Sequence, residues 1–158
     1  MKRFFLAAFL VTAVFAPALF AQTRTPVTLP DTVRGAWGKG IRCTITAPNI
    51  LGVRGSTAND VDQINMNNIP FSGAQTLVVV VKSMSGRFPW EGGKMYGLTV
   101  NNKQIVPEGR VVTDHMIVGP MTVGEPLRFS LAGVTGATIN IGLRVYSGAQ
   151  YELEFWYE

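Results

Sequence analysis

The 158-residue chain holds a single cysteine and a single histidine. Cys43 has no second cysteine to join, so no internal disulfide braces the fold. His115 alone cannot supply the two or three imidazoles of the common catalytic zinc sets, nor the two that a blue-copper centre needs beside its cysteine. A G-x-S-x-G elbow, the usual seat of a hydrolase serine, is absent. A thiol dyad of Cys43 with His115 is disfavoured by pattern. In "GIRCTITAP" Cys43 alternates with Ile41 and Ile45 on one face, whereas Arg42 and Thr44 take the other, so the thiol is expected to face a core as a small hydrophobe.

Charge is also sparse. Asp, Glu, Lys and Arg make up 15% of the chain and the net charge is +4. The Lys and Arg residues are not clustered, which argues against a nucleic-acid footprint. Asp60, Asp62, Glu91, Glu108, Asp114 and Glu125 could in principle include the carboxylate pair of a glycoside hydrolase. Nothing in their spacing says which two would face each other, and they read as solvated loop charges. In "NDVDQINMNN" the oxygen spacing of an EF-hand starts at Asp60 and Asp62, then fails at Ile64 and has no closing Glu. No cofactor is expected. A structural calcium held by Asp60, Asp62 and nearby carbonyls stays open, because a hard cation needs only converging oxygens. The expectation is a protein that is not an enzyme.

The chain starts "MKRFFLAAFLVTAVFAPALFAQT". Lys2 and Arg3, an apolar run from Phe4 to Phe20, and small residues before Gln22 have the anatomy of a secretory signal peptide. The run is broken by Pro17 and falls short of the roughly 20 residues of a spanning helix. Cleavage is expected after Ala21, with Ala18 as the alternative, and it removes Lys2 and Arg3 from the charge balance. No later apolar stretch is long enough to span a bilayer. The expected organisation is a signal peptide over 1–21, an extended leader or edge segment over 22–33 and one β-sandwich domain over 34–158. The product is expected to be exported, to a periplasmic, cell-surface or extracellular location.

Useful helical periodicity and internal repeats are both missing, and 17 glycines fall mainly between short apolar runs. Such runs at roughly 8–14 residue spacing indicate about eight strands of an all-β sandwich or barrel. "AQTLVVVVKSM" is continuously apolar and β-branched, as a central strand buried on both faces would be. "MYGLTV-NN-KQIV" reads as a hairpin turning at Asn101-Asn102, which tolerate positive φ. "GRVVTDHMIVG" reads as one strand, with Asp114 and His115 on opposite faces. Ile139, Ile141, Leu143 and Val145 share one face, as do Tyr151, Leu153, Phe155 and Tyr157. A three-residue loop over 147–149 would turn both sets inward in a hairpin. That register sets Arg144 opposite Glu152, Gly142 opposite Glu154 and Asn140 opposite Trp156, with the Trp156 ring over the bare backbone at Gly142.

Two stretches, "AQTLVVVVKSMSG" (74–86) and "EPLRFSLAGVTGATINIGLRVYSGAQYELEFWYE" (125–158), resemble the central and closing strands of the galactose-binding-like jelly rolls, the sandwiches of many carbohydrate-binding modules. The resemblance implies an antiparallel jelly-roll sandwich with ligand loops at one end, often with a structural calcium. It carries over no site residue.

With metal and nucleophile chemistry largely removed, aromatic and polar surface remains. "RFPWEGGKMYG" (87–97) lies between two expected strands, where binding residues tend to sit. Arg87, Trp90, Glu91 and Tyr96 are the expected contacts for carbohydrate or another cell-envelope ligand. The alternative is that the loop's aromatics plug the end of the sandwich. A rival function is a structural or interaction subunit of the envelope, a homo-oligomer or the partner of an envelope protein. It would assemble through a face bearing Arg144, Tyr146, Glu152 and Trp156, since interfaces favour Trp, Tyr and Arg.

Overall fold

The run Leu77–Val81 has every side chain buried, on both faces of its strand. Four consecutive valines suit this site, because branched side chains pack well on a pleated, covered surface. In the computed structural model, which describes residues 23–31, 33–37, 41–55, 61–86, 98–113, 116–118, 122–146 and 149–158, this run belongs to β6 (Thr76–Gly86). The described residues contain thirteen strands and no helix. Two antiparallel sheets account for eleven of them.

The first sheet comprises β1 (Thr25–Pro26), β3 (Arg42–Ala47), β4 (Ile50–Arg54), β6, β11 (Pro126–Ser130) and β13 (Ala149–Tyr157), in the order β11-β6-β13-β4-β3 with β1 also paired to β13. The second comprises β2 (Arg34–Trp37), β5 (Val61–Pro70), β7 (Leu98–Val100), β8 (Lys103–Ile105) and β12 (Thr138–Tyr146), in the order β2-β5-β12-β7-β8. Leu51, Leu77, Val79, Phe129, Leu153 and Phe155 from the first sheet meet Ile64, Met66, Leu98, Ile139, Ile141 and Leu143 from the second in one hydrophobic core. This is a sandwich-like pairing of two sheets, each hiding its apolar face against the other. The strand count exceeds the expected eight or so because five of the strands are only two or three residues long.

The hairpin at Asn101-Asn102 forms as expected. β7 and β8 pair Val100 with Lys103, and the two asparagines have φ of 50° and 64°. Their short side chains make the left-handed conformation accessible. Asn101 also works beyond its turn. Its Oδ1 accepts the Asn140 amide at 2.9 Å, and Asn140 Oδ1 in turn accepts the Asn68 amide at 2.9 Å. These bonds stitch β7, β12 and β5 together where the β5–β12 ladder slips between Ile139 and Ile141.

Two expectations are corrected. First, β12 and β13 do not form a hairpin with each other. They lie in opposite sheets, β12 against β5 and β7, and β13 against β6, β4 and β1. The inward-facing sets hold where side chains are described, since Ile139, Ile141, Leu143, Tyr151, Leu153, Phe155 and Tyr157 are buried, and the Val145 side chain lies outside the described ones. Alternation reports which residues face the core, and a chain that crosses from one sheet to the other satisfies it as well as an in-plane turn does. Arg144 therefore pairs with Gln63, and Glu152 with Gly52 and Ser83. Gly142 is closed over by Thr99 and Asn65, its neighbours in the second sheet, rather than by Trp156.

Second, "GRVVTDHMIVG" is two strands. β9 (Val111–Thr113) pairs antiparallel with β10 (Met116–Val118), setting Thr113 opposite Met116. The strand-parity argument for Asp114 and His115 therefore lapses, and both lie outside the described residues.

Of the two readings of residues 22–33, leader or edge segment, residues 25–29 follow the second and are built into the body of the fold. Thr25 and Pro26 pair with Tyr157 and Trp156, on the same side of β13 as β4. Val27 and Leu29 are buried in the core. The Val27 amide donates to the Phe155 carbonyl at 3.1 Å and the Leu29 amide to the Pro48 carbonyl at 2.8 Å. Two prolines and an absent period hid a segment whose alternate residues, Val27 and Leu29, fill the sandwich.

Candidate functional site

Strand parity builds a polar cleft on the outer face of the six-stranded sheet. In β3, Cys43 and Ile45 pack against the core, so Arg42 and Thr44 project outward. In β4, Leu51 and Val53 are buried, which turns Gly52 and Arg54 outward. In β13, Tyr151 and Leu153 are buried, which turns Gln150 and Glu152 outward. The ladder then aligns these residues in rows. Arg42 is opposite Arg54, Arg54 opposite Gln150, and Gln150 opposite Ser85. One row along, Thr44 is opposite Gly52, Gly52 opposite Glu152, and Glu152 opposite Ser83.

Two local features make this surface concave. Gly52 leaves bare backbone in the middle of its row. A Cβ built there would meet only Thr44, at 3.5 Å from its carbonyl oxygen. The ladder between β13 and β6 also slips between Glu152 and Leu153, so Lys82 is passed over in the pairing. Such bulges re-aim side chains and are common beside sites. Here Lys82 reaches Glu154, with Nζ 3.6 Å from the carboxylate, while Ser83 and Ser85 line the cleft. The resulting cavity has a volume of about 340 Å³ and is bounded by Arg42, Arg54, Ser83, Ser85, Gln150 and Glu152 over a floor of Gly52.

The electrostatics of the cleft are mixed. Two guanidinium groups stand at one end and the Glu152 carboxylate lies one row away. None of the three takes part in an ion pair among the described residues. Every side chain that rims the cleft can donate or accept hydrogen bonds, apart from the flanking Val53 and the bare Gly52. The arrangement suits a ligand with several hydroxyls and a negative group. Beneath it, burial pushes the Cys43 thiol up to about 11. Such a thiol is protonated at neutral pH and a poor nucleophile. It faces the core as expected and offers the cleft no reactive group.

Farther along the same face the character changes. Trp156, half-buried, lies between Pro26 and Val78 in the ladder, and Val78 also pairs with Arg128. At its end Glu158 accepts a hydrogen bond from Arg24 Nε at 2.6 Å and from Arg128 Nε at 3.2 Å.

The four expected ligand contacts, Arg87, Trp90, Glu91 and Tyr96, lie outside the described residues. The expected interface set is divided between the sheets. Arg144 is half-buried in β12 of the second sheet, and Tyr146 is placed by its backbone opposite Val61. Glu152 and Trp156 are on the outer face of the first sheet. Among those of the eight whose side chains are described, Glu152 lines the cleft. Asp60 is outside the described residues and Asp62 is placed by backbone alone, opposite Val145. Among the described residues, no three His, Cys, Asp or Glu side chains gather as a metal site would require.

Sequence reasoning passed over Arg42, Thr44, Gly52, Arg54, Ser83, Ser85 and Gln150. A partial signal was present, since alternation already sent Arg42 and Thr44 outward. What it lacked was the strand order that sets β3, β4, β13 and β6 side by side. Compared with known proteins, the chain matches no family model and no curated sequence.

Proposed function

We propose that this protein is an exported, non-catalytic sandwich of the jelly-roll type that binds carbohydrate or another cell-envelope ligand at one end of its six-stranded sheet. The cleft over Gly52 is the observation that carries this reading. It is concave, open and lined by hydroxyl, amide, guanidinium and carboxylate groups, the set that pairs with sugar hydroxyls. Ser85 and Arg54 lie in strands that lead in sequence directly into residues 87–97 and 56–60. In this reading Trp90 and Tyr96 supply the flat apolar face for a sugar ring, Arg87 and Glu91 add polar contacts, and the cleft holds the hydroxyls.

A glycan array tests this with wild type, Trp90→Ala and Gly52→Val, beside light scattering. The valine suits a strand and its side chain would fill the cleft from the floor. Glycan signals that weaken in both variants are expected. A wild type silent on every glycan, with mass that grows with concentration, would end the lectin reading.

That second outcome belongs to the rival reading, a structural subunit of the envelope. Its supporting observation is Trp156 among Pro26 and Val78 on the outer face, an aromatic anchor of the kind interfaces use. Under it, Trp156→Ala would lower the oligomer mass while Gly52→Val would not.

A further inference from the structure

The cleft contains two arginines in an arrangement that the sheet by itself does not favour. Arg42 and Arg54 are direct cross-strand partners in the β3–β4 ladder, and both are exposed. Like charges directly opposite one another destabilise a sheet. Several other cations are paired, although Lys103 and Arg144 are not, among the described residues. Arg24 and Arg128 meet Glu158, Arg110 meets Glu125, and Lys82 meets Glu154. Arg42 and Arg54 have no such partner among the described residues. Glu152, the nearest acid in the ladder, stands opposite Gly52, one row removed.

We propose that Arg42 and Arg54 together form the subsite for the carboxylate of an acidic sugar, with Thr44, Ser83, Gln150 and Glu152 facing its hydroxyls. This rests on the reading of the cleft as the ligand site. Guanidinium is the fitting cation, because its planar fork matches a carboxylate with two parallel hydrogen bonds where an ammonium offers a point charge. Two forks side by side hold one carboxylate and have their mutual repulsion relieved by it. Glu152 sets the other limit. A carboxylate accepts hydrogen bonds from ring hydroxyls, but it repels a densely charged polyanion. The cleft therefore selects one negative group next to neutral hydroxyls, the pattern of a uronic acid.

Calorimetric titration would use tri-galacturonate, neutral galactotriose and inorganic sulfate, with amide shifts at Thr44 and Gly52 to locate binding. Tri-galacturonate is expected to bind, to shift those amides and to weaken as salt rises. Arg42→Gln and Arg54→Gln should each weaken it on the order of tenfold or more, while melting no lower than wild type because they remove a like-charge pair. Arg42→Lys, which keeps the charge and loses the fork, should also weaken it. Gly52→Val should abolish it. If galactotriose binds the cleft as tightly and both glutamine variants keep that affinity, the anionic subsite is overturned and the carbohydrate reading stands. Sulfate that binds while neither sugar does would also overturn it, as would tri-galacturonate bound undiminished to Gly52→Val. Heat and shifts absent with all three probes would overturn both this proposal and the assignment of the cleft as a carbohydrate site.

Discussion

The Tyr157 hydroxyl donates to the Pro70 carbonyl at 3.0 Å, joining the last strand of one sheet to the end of β5 in the other. The Tyr157 ring also meets Phe71, with centroids 5.9 Å apart and planes tilted by 60°. Backbone ladders run within each sheet, so this side-chain bond is a polar tie between the two. Tyr157→Phe keeps the ring contact and leaves the carbonyl unpaired. A loss of about 1 kcal/mol in denaturant unfolding is expected.

The same residue predicts alkaline behaviour. Burial pushes the Tyr157 hydroxyl up to about 12, from 10.0 in an exposed tyrosine, and the Cys43 thiol up to about 11, from 9.0. In both cases the folded state holds its proton more tightly than the unfolded state. Their contributions are complete below the unfolded values and are lost as pH rises, from about 9 to 11 for the thiol and from about 10 to 12 for the hydroxyl. Unfolding free energy measured from pH 8 to 12 should fall, with the tyrosine term on the order of 2 kcal/mol. Tyr157→Phe should flatten the upper part of that fall and Cys43→Ala the lower part.

Glu158 predicts the acid side. Burial raises its carboxyl, but hydrogen bonds and charge from Arg24 and Arg128 outweigh this, so the net displacement is downward. Its stabilisation is present above the ordinary carboxylate range and is lost as pH falls through the lowered folded value. Glu158→Gln should cost about 1–2 kcal/mol at pH 7, a figure kept small by the exposure of the two arginines. The gap between variant and wild type should close in strong acid, as acid-titration unfolding would show. A gap unchanged by acid would mean that the ion pairs contribute nothing.

Asn49 predicts a local knot. It is buried, its Nδ2 donates to the Phe155 carbonyl at 3.3 Å, and its own carbonyl accepts the Phe155 amide at 2.9 Å. The Phe155 carbonyl also accepts the Val27 amide at 3.1 Å. Asn49→Ala should cost about 1–2 kcal/mol. Amide exchange at Val27 should accelerate in it, because the carbonyl that anchors Val27 loses its second tie.

Val27 tests whether residues 25–29 belong to the folded body. The side chain is fully buried in the core. Val27→Ala should cost about 1–3 kcal/mol, and a chain starting at residue 31 should melt well below one starting at residue 22. Equal melting temperatures would reduce the segment to a passive tail.

Legibility in the sequence followed the range of each signal. The β-branched run at Leu77–Val81, the inward sets of β12 and β13, and the Asn101-Asn102 hairpin were all readable, because each depends on neighbours within a few residues. Partner choice was not. Whether residues 138–146 lie beside residues 149–157 or across the core from them leaves the alternation unchanged. The segment around Val27 was obscured because its contacts, Phe155 and Pro48, are distant in sequence.

By itself, then, the sequence determined the strand class, the core-facing residues and the absence of paired histidine or disulfide chemistry, since composition and period-two alternation are local properties. The tertiary structure alone decided that Arg42 stands against Arg54, that Gly52 floors a cleft between Thr44 and Glu152, and that Glu152 and Arg144 belong to opposite sheets. Those relations come from strand order and register between residues as far as 108 positions apart, as Arg42 and Gln150 are. They are set by which apolar faces can be buried together, a property of the whole chain and not of any stretch within it.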